Sequence, residues 1–381
     1  MEETMKDKVQ RHIVIFEPQS GGHRREFVGH LLSFIQSDTD QNTRYTFVVQ
    51  PDLLKKSTLP KNVEIKEVQP FSKNKDLQLL LQKALEELKP DYLIIMDLTK
   101  LEGRLCFWRP PVPFSGILFV QYPELAAATS IKGSLKFWWK TLKTARFLKV
   151  AQPRKVFLLN GDFSCTYLNK RFKTSCYLPL SDPILEGTAE SVSIRKEFKI
   201  DETRRIFLFF GSMSERKGVE ELLSAMQALP PEMDSKVAFI FCGTVEPHYT
   251  QKYHTLIEHF KKLRPTLPFF VNNSFVSDGR MRALFEQADW IVLPYTRPEY
   301  SSGVLGHAAN AGTPVITTEK GLIARQVQTY KLGITTPNLK NALITAVPTA
   351  HSFDESLRKQ FIAQSSPTVF AKTLLTIAGE E

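Results

Sequence analysis

The chain has 381 residues, 42% of them hydrophobic, which is enough for two ordinary domains with a core in each and argues against a disordered protein. Its four cysteines lie far apart, with no CxxC pair and no histidine cluster at metal spacing, so the sequence favours neither a disulfide framework nor a zinc site and fits a reducing, cytoplasmic compartment. The formal net charge of +10 suits an anionic partner, and the charged N-terminus and lack of a long apolar run predict a soluble or peripheral protein.

Short apolar runs alternate with helical patterns through the first half of the chain. Strands are predicted at 12–16, 45–49, 91–97, 116–121 and 155–160, and helices around 27–35 and 77–89. Continuous apolar runs of this kind are typical of parallel strands that are buried on both faces. The first half therefore predicts an α/β domain, an open parallel sheet with helices on both sides.

A glycine loop follows the first predicted strand and contains Gly21, Gly22 and His23. The two glycines would let backbone amides approach a ligand closely, and a helix that starts near Arg24 would direct its positive end toward an anion or a hydroxyl group. We predict an acceptor or phosphate loop here. An ordinary tight turn is the alternative, and a dinucleotide site is disfavoured because the loop lacks GxGxxG.

The alternation pauses over residues 179–198, which are rich in proline and serine, and then resumes. The second series of strands is predicted at 205–211, 236–243, 268–273, 289–295 and 313–318. We predict two domains, 1–185 and 186–381, with the last helix of the chain able to pack back on the first domain. Open α/β sheets bind ligands at the carboxyl ends of their strands, so the functional residues are sought there.

A basic loop follows the strand predicted at 205–211. It contains Gly211, Arg216 and Lys217, directly before a predicted helix. Two adjacent cations beside a helix N-terminus suit a diphosphate, where they can stabilise the negative charge of a leaving group. The alternative is a solvated basic loop.

The stretch RPEYSSGVLGHAANAGTPVI, residues 297–316, contains a further loop at a strand end. Its Ser301, Ser302 and Gly303 are small, so backbone amides at the start of the helix predicted over 303–311 can contact phosphate. Glu299 precedes this helix, and His307 lies one turn inside it. The alternative is a closely packed helix with a solvated Glu299 and a histidine that has no function.

In this order and spacing, these loops and the strand between them resemble the C-terminal domain of the retaining nucleotide-sugar glycosyltransferases of the GT-B fold, the family called glycosyl transferases group 1. The likeness covers about residues 205–335. It implies two Rossmann-like doubly wound parallel-sheet domains that face a central cleft, the first binding the acceptor and the second the donor. It also implies a metal-independent hexosyltransferase without a cofactor, which moves a sugar with retention from a nucleotide-diphosphate sugar to an acceptor hydroxyl in carbohydrate biosynthesis.

The resemblance assigns roles to individual residues. Lys217 falls on the diphosphate-binding lysine of the family, and Glu299 falls on the first glutamate of its E-x7-E signature, so these two are the predicted catalytic residues. The amides around Gly303 fall on the loop that contacts the donor diphosphate. The complete predicted donor-binding set is Gly211, Ser212, Arg216, Lys217, Gly243, Glu299, Ser301, Ser302, Gly303, Val304 and His307.

Two positions depart from the pattern of the family. The second glutamate of the signature is His307, and the usual phosphate-binding arginine is Ser212, a loss for which Arg216 could compensate. Two alternatives therefore remain, a catalytically degenerate sugar-nucleotide binding or partner module and a sugar-nucleotide epimerase of the same fold. No DxD-type metal motif is present at a strand end, and Asp97 alone is more typical of a turn or cap residue.

Residues 125–161 contain no acidic side chain. A helical wheel places Lys132, Lys136, Lys140, Lys143 and Arg146 on one face and Leu135, Trp138, Leu142 and Leu148 on the other. This pattern predicts peripheral contact with an anionic membrane through residues 132–150, at the cytoplasmic face. The alternatives are a helix whose apolar face packs on the sheet, or a surface for an acidic or aromatic soluble acceptor. Nucleic acid is not an expected partner, because nucleic-acid binding would explain the positive charge of the chain but none of the loops predicted at the strand ends.

Overall fold

A computed structural model describes residues 11–20, 24–38, 42–51, 53–54, 59–70, 74–127, 131–184 and 187–379. The predicted loop residues Gly21, Gly22 and His23 lie outside this set. The chain divides into two compact units, Met1–Ser181 together with Pro367–Glu381, and Asp182–Ser366. The first unit thus ends at Ser181 rather than at residue 185, and it includes the last helix of the chain.

The described residues form two parallel sheets with helices between their strands. The strands are β1 (Arg11–Glu17), β2 (Thr43–Val49), β3 (Val63–Glu67), β4 (Tyr92–Ile95), β5 (Phe114–Leu118), β6 (Lys155–Leu159), β7 (Tyr177–Leu180), β8 (Arg205–Phe210), β9 (Val237–Cys242), β10 (Phe269–Asn272), β11 (Trp290–Leu293), β12 (Val315–Thr318) and β13 (Gly333–Thr336). The helices are α1 (Arg24–Ser37), α2 (Asn74–Leu88), α3 (Leu98–Leu105), α4 (Ile131–Ala151), α5 (Asp162–Phe172), α6 (Ile194–Glu197), α7 (Val219–Gln227), α8 (Thr250–Leu263), α9 (Asp278–Gln287), α10 (Gly303–Ala311), α11 (Leu322–Tyr330), α12 (Leu339–Ala346), α13 (Glu355–Gln364) and α14 (Pro367–Gly379).

The sheet of the first unit has the order β3-β2-β1-β4-β5-β6-β7, with parallel neighbours throughout. Helices α2, α3, α4 and α5 bury apolar residues on one face, and α1 and α14 do so on the other. The predicted doubly wound α/β architecture is confirmed. The strand order reverses between β1 and β4, and ligands bind at such a switch point in open sheets.

Helix α14 completes the core of the first unit. Its Phe370 ring lies 4.7 Å from the ring of Phe27 on α1, centroid to centroid, and Leu374 is fully buried in the same cluster. Apolar helix faces are normally covered by another element of the fold. The end of the chain is therefore part of the core that supports β1.

The sheet of the second unit has the order β10-β9-β8-β11-β12-β13, again with parallel neighbours. Helices α7, α8 and α12 cover one face, and α6, α9, α10, α11 and α13 cover the other. The order reverses between β8 and β11. The basic loop after β8 and the loop before α10 therefore follow two adjacent strands at the switch point.

Helix α10 covers residues 303–311, as its sequence predicts. Ala308 and Ala309 are buried against the sheet, and a Cβ atom on Gly306 would come within 2.8 Å of the Ile184 side chain. Small residues thus let the helix pack close to the sheet. It ends at Gly312, which has a φ of 71° and takes the left-handed conformation that a helix C-terminus favours.

The alternative that α4 packs its apolar face on the sheet is wrong for Leu135, Trp138 and Leu142, which are exposed. The buried side chains in the described part of α4 are those of Thr141, Thr144, Phe147 and Ala151. Within the described residues, no helix is both long enough and apolar enough to cross a bilayer.

Candidate active site

Two glycines at strand ends bring the backbones after β8 and β9 close together. Gly211 has a φ of 114° and Gly243 a φ of 133°, which only glycine adopts readily. A Cβ atom on Gly243 would collide with the Gly211 carbonyl, and one on Gly211 would collide with the Lys217 ammonium. Both predicted glycines are therefore needed for close packing here.

Lys217 is buried beside Gly211, so the alternative of a solvated basic loop is wrong for this residue. Its side chain is 5% exposed, and its Nζ donates a hydrogen bond to the Phe210 carbonyl at 3.2 Å. The ammonium lies 5.3 Å from the ring centroid of Tyr295. A buried ammonium is costly unless it has partners, and those it has here fix it at the carboxyl end of β8.

Tyr295, which sequence reasoning missed, joins the two predicted loops. Its hydroxyl lies 2.8 Å from the hydroxyl of Ser302, and its ring lies beside the Lys217 ammonium. Burial by itself raises the pKa of this phenol, but the charge of Lys217, hydrogen bonding and the charge of Arg216 outweigh it, and the pKa lies below its ordinary value. A polarised phenol next to a buried cation can donate a strong hydrogen bond.

Arg216 lies between two aromatic rings. Its guanidinium carbon is 5.9 Å from the ring centroid of Tyr295 and 5.4 Å from that of Tyr300. The Arg216 carbonyl accepts a hydrogen bond from the Thr296 amide at 3.0 Å, which ties the basic loop to the loop after β11. The two predicted cations therefore lie close to the same tyrosine, and their positive charges add at this point. Ser212 follows Gly211 and is half-buried.

The N-terminus of α10 lies beside these cations. Ser302 is the N-cap residue, but its hydroxyl bonds Tyr295 rather than capping the helix. The Val304 methyl Cγ2 lies 3.8 Å from the position that a Cβ atom on Gly211 would occupy. Gly303 begins the helix, and Ser301 is half-buried just before it. The first amides of a helix have no partner within it and favour anions, so cations and amides meet at one place.

Glu299 is buried in the loop before α10, so the alternative of a solvated carboxylate is wrong. Its side chain is 2% exposed, and its Oε1 lies 3.4 Å from the guanidinium of Arg297. The Leu322 amide donates to the Pro298 carbonyl at 3.0 Å, which holds this loop against α11. The carboxylate is thus fixed by the fold, three residues before the N-cap.

His307 lies apart from the contacts of Lys217 and Tyr295. It is half-buried on the side of α10 that faces α9, with its ring centroid 6.1 Å from that of Phe285 in an edge-to-face arrangement. It lines a cavity together with Thr188, Asp278, Arg282 and Asn310, among others. Of the predicted donor-binding residues on α10, Gly303 and Val304 therefore lie beside the cations, and His307 lies on the side that faces α9.

A separate polar cluster lies at the switch point of the first unit. Arg24 bridges Glu17 at the end of β1, at 3.1 Å, and Asp97 just after β4, at 2.7 Å. Burial raises the pKa of Glu17 to about 7, although Arg24 opposes the shift. Sequence reasoning missed Glu17.

Asp97 is the N-cap residue of α3, as its sequence position suggests, but its side chain makes no cap hydrogen bond. No group of three or more His, Cys, Asp or Glu side chains within the described ranges could hold a metal ion.

Comparisons with known proteins indicate a family for part of the chain. Residues 191–367 match the family described as glycosyl transferases group 1. The chain resembles the glycosyltransferases of this group. A stretch of 132 residues is 24% identical to part of an uncharacterized glycosyltransferase of Methanocaldococcus jannaschii. This stretch makes up 35% of this chain and 32% of that protein. The match thus spans about a third of the curated relative.

Solved structures show that the chain has the GT-B fold. Those similar to it include WaaG, a glycosyltransferase involved in lipopolysaccharide biosynthesis (TM-score 0.64, 18% identity, 95% of this chain and 99% of that one). Others are HepE of Anabaena in complex with UDP and glucose (0.63, 16%, 97% and 98%) and sucrose-phosphate synthase of Thermosynechococcus elongatus (0.68, 15%, 97% and 98%). At these sequence identities, the structural similarity shows the GT-B fold and no further property.

Proposed function

We propose that this protein is a glycosyltransferase that moves a hexosyl group from a nucleotide-diphosphate sugar to an acceptor hydroxyl, with retention of configuration. The observation that carries the proposal is the buried Lys217 ammonium, which lies between Gly211, Tyr295 and the N-terminus of α10. The family match over residues 191–367 and the GT-B fold support it.

The donor diphosphate binds beside Lys217 in this proposal. Lys217 and Arg216 supply two positive charges, and the first amides of α10 supply hydrogen bonds and the positive end of the helix dipole. The hydroxyl of Tyr295 lies at the same point. Since these groups are already in place, they can stabilise the negative charge of the leaving diphosphate without rearranging. Such preorganised electrostatic stabilisation is usually the largest contribution of an active site to the reaction rate.

The reaction itself then needs little covalent help from the protein. The bond between the anomeric carbon and the diphosphate oxygen breaks, and the acceptor hydroxyl attacks from the same face, so the configuration is retained. The leaving diphosphate keeps the bonding electrons and can accept the proton of the acceptor. We assign Glu299 to the donor sugar, with which its buried carboxylate can hydrogen-bond, and we propose that no metal or cofactor takes part.

We assign the acceptor to the first unit and the donor to the second, with Gly21, Gly22 and His23 as an acceptor or phosphate loop next to Arg24. The bridge from Arg24 to Glu17 and Asp97 supports this assignment, because it places polar groups at the switch point of the first sheet. We further propose that the protein works at the cytoplasmic face of a membrane, as a peripheral protein.

A second candidate function is a degenerate module that binds a sugar nucleotide without transferring the sugar. It is favoured by one observation, namely that His307 replaces a carboxylate of the family signature and lies apart from the contacts of Lys217. Binding alone would then persist, because Lys217, Arg216 and the helix N-terminus do not depend on His307.

A donor screen tests the proposal. The full chain is heated with UDP-, GDP-, ADP- and dTDP-sugars, since a ligand that binds only the native state raises the apparent melting temperature. Each donor that binds is then followed for slow hydrolysis, and the anomeric configuration of the released sugar is read by NMR. Binding with turnover and retention supports the transferase, and binding without turnover supports the module. The absence of binding by every donor would contradict both.

A further inference from the structure

Helix α4 leaves a continuous apolar stripe in solvent. Its large exposed side chains are Leu135, Trp138, Trp139 and Leu142, with exposed fractions of 66%, 56%, 61% and 68%. The spacing of three, four and seven residues places them on one face of the helix. Amphipathic helices normally turn such a face toward the core, but here the opposite face makes the core contacts through Phe147. The stripe is therefore available for an external partner.

A side chain from a neighbouring loop extends this surface. Phe107, just after α3, is 74% exposed, and the guanidinium of Arg146 on α4 lies 4.3 Å from its ring centroid. Phe107 and the four α4 residues together are called the apolar patch below. Large exposed apolar surfaces on soluble proteins are typical of interaction sites.

Cations lie around the apolar patch. Helix α4 itself has six basic residues and no acidic one. Arg171 of α5 lies 5.7 Å from the ring centroid of Trp138, and Lys143 lies 6.0 Å from that of Trp139. The nearby carboxylate of Glu102 is bound by Lys143 at 2.5 Å, so it does not add a free negative charge. The patch is thus both aromatic and strongly positive.

We propose that the apolar patch docks this protein on a bilayer that contains anionic phospholipid. Tryptophan rings favour the boundary between headgroups and acyl chains, because one part of the indole is apolar and its N–H donates a hydrogen bond. Leu135 and Leu142 enter the outer acyl region, while the cations remain among the lipid phosphates. A surface of positive charge beside exposed indoles complements an anionic bilayer better than it complements a second copy of this basic chain.

Vesicle flotation of the full chain tests the proposal without a donor or an acceptor, so its result does not depend on the proposed glycosyl transfer. The vesicles contain phosphatidylcholine alone, or phosphatidylcholine with an equal share of phosphatidylglycerol. The wild-type protein should float with the anionic vesicles, and its tryptophan fluorescence should shift to the blue. The triple variant Trp138→Ser, Trp139→Ser, Leu142→Ser should bind at least about tenfold more weakly.

Two further variants complete the experiment. Phe275→Ser is the matched control, because Phe275 is 84% exposed but lies in the second unit, and this variant should bind as the wild-type protein does. Arg146→Glu with Arg171→Glu should weaken binding to the anionic vesicles while leaving the apolar side chains in place. Since all the changed side chains are exposed, the circular dichroism spectra should match that of the wild-type protein. Arg146→Glu also removes the hydrogen bond from Arg146 Nε to the Cys106 carbonyl, so the melting temperature of this variant is measured to check that it is folded.

Three outcomes would overturn the proposal. The first is a wild-type protein that does not float with the anionic vesicles. The second is a folded triple variant that floats as well as the wild-type protein does. The third is a wild-type protein that forms a dimer in solution, with a triple variant that is monomeric and no vesicle binding by either, which would assign the apolar patch to a second copy of this chain.

Discussion

Tyr295 shows how one hydroxyl can hold two functional segments together. It connects the buried ammonium of Lys217 to the N-cap Ser302, so the phenol positions a cation and a helix terminus for the same ligand. An aromatic residue after a buried strand looks like a core residue in the sequence. The signal that could have revealed it is its place at the end of the strand adjacent to β8, which becomes visible only when the strand order is known.

Tyr295→Phe should weaken donor binding by about tenfold, since a hydrogen bond to a charged group contributes about 1.5–3 kcal/mol. It should also lower the free energy of unfolding by about 1 kcal/mol. Calorimetry with the donor found in the screen measures the first effect, and urea unfolding measures the second.

Tyr253→Phe is the matched control for this variant. Tyr253 is fully buried in the same unit, and its hydroxyl has no hydrogen-bond partner among the described residues. Removing that hydroxyl should leave donor affinity unchanged and should not destabilise the fold. Equal donor affinities of the two variants would show that the Tyr295 hydroxyl does not position the binding groups.

Glu17 gives the first unit a specific dependence on pH. Its pKa is raised from 4.5 to about 7 in the folded protein, so between these values the folded state binds more protons than the unfolded state does. The contribution of Glu17 to stability is therefore most favourable below pH 4.5, decreases as the pH rises toward 7 and stays low above it. The full change is about 3 kcal/mol.

Glu17→Gln should remove this dependence and raise the stability at pH 8 relative to the wild-type protein. Urea unfolding at pH 5 and at pH 8 measures the difference between the two proteins at each pH. Glu86→Gln, at an exposed position on α2, should change neither value by more than a few tenths of a kcal/mol. A Glu17 variant with the wild-type pH dependence would refute the raised pKa.

At the scale of elements, the sequence was most informative where strands are buried on both faces. The ten strands predicted from continuous apolar runs are present in the two sheets, with ends that differ by a few residues, and α10 has the predicted bounds. Three edge strands, β3, β7 and β13, were not predicted. β3 alternates with charged residues, β7 contains Pro179, and β13 is only half-buried, and all three features are common at sheet edges, where one side of the strand is unpaired.

The orientation of α4 and the location of α14 could not be derived from periodicity. Periodicity shows that a helix has an apolar face, but it does not show which neighbour covers that face. In α4 the aromatic stripe is exposed, and Thr141, Thr144 and Phe147 face the core instead. In α14 the partner is α1, at the other end of the chain, so the contact depends on the tertiary fold.

Phe370→Ala tests the role of α14. Removing a fully buried phenylalanine costs about 3–5 kcal/mol, and the loss should fall on the first unit, to which α14 belongs. Hydrogen exchange followed by mass spectrometry should show faster exchange in α1 and β1, with β8 to β13 unchanged. Val369→Ala, at an exposed position on the same helix, should exchange as the wild-type protein does, and equal exchange in the two variants would contradict this role.

At the scale of the whole molecule, the two units carry different parts of the proposed function. The second unit brings together Gly211, Arg216, Lys217, Ser302 and Val304, which the strand-end principle and the family resemblance predict. Helix α4 has six basic residues and no acidic one, and Arg216 and Lys217 add two cations at the proposed diphosphate site. The sequence predicts the donor-binding residues more clearly than the acceptor-binding residues. The predicted donor loops contain charged side chains and glycines whose positive φ angles other residues rarely adopt.

The central claim is that Lys217 binds the donor diphosphate, and calorimetry with the nucleoside diphosphate of the selected donor tests it most directly. Lys217→Ala should bind this ligand at least about a hundredfold more weakly and should lose turnover while its fold remains intact. Lys261→Ala, an exposed lysine of the same unit, should bind as the wild-type protein does. Wild-type affinity in a folded Lys217→Ala protein would contradict the account and would place the diphosphate elsewhere.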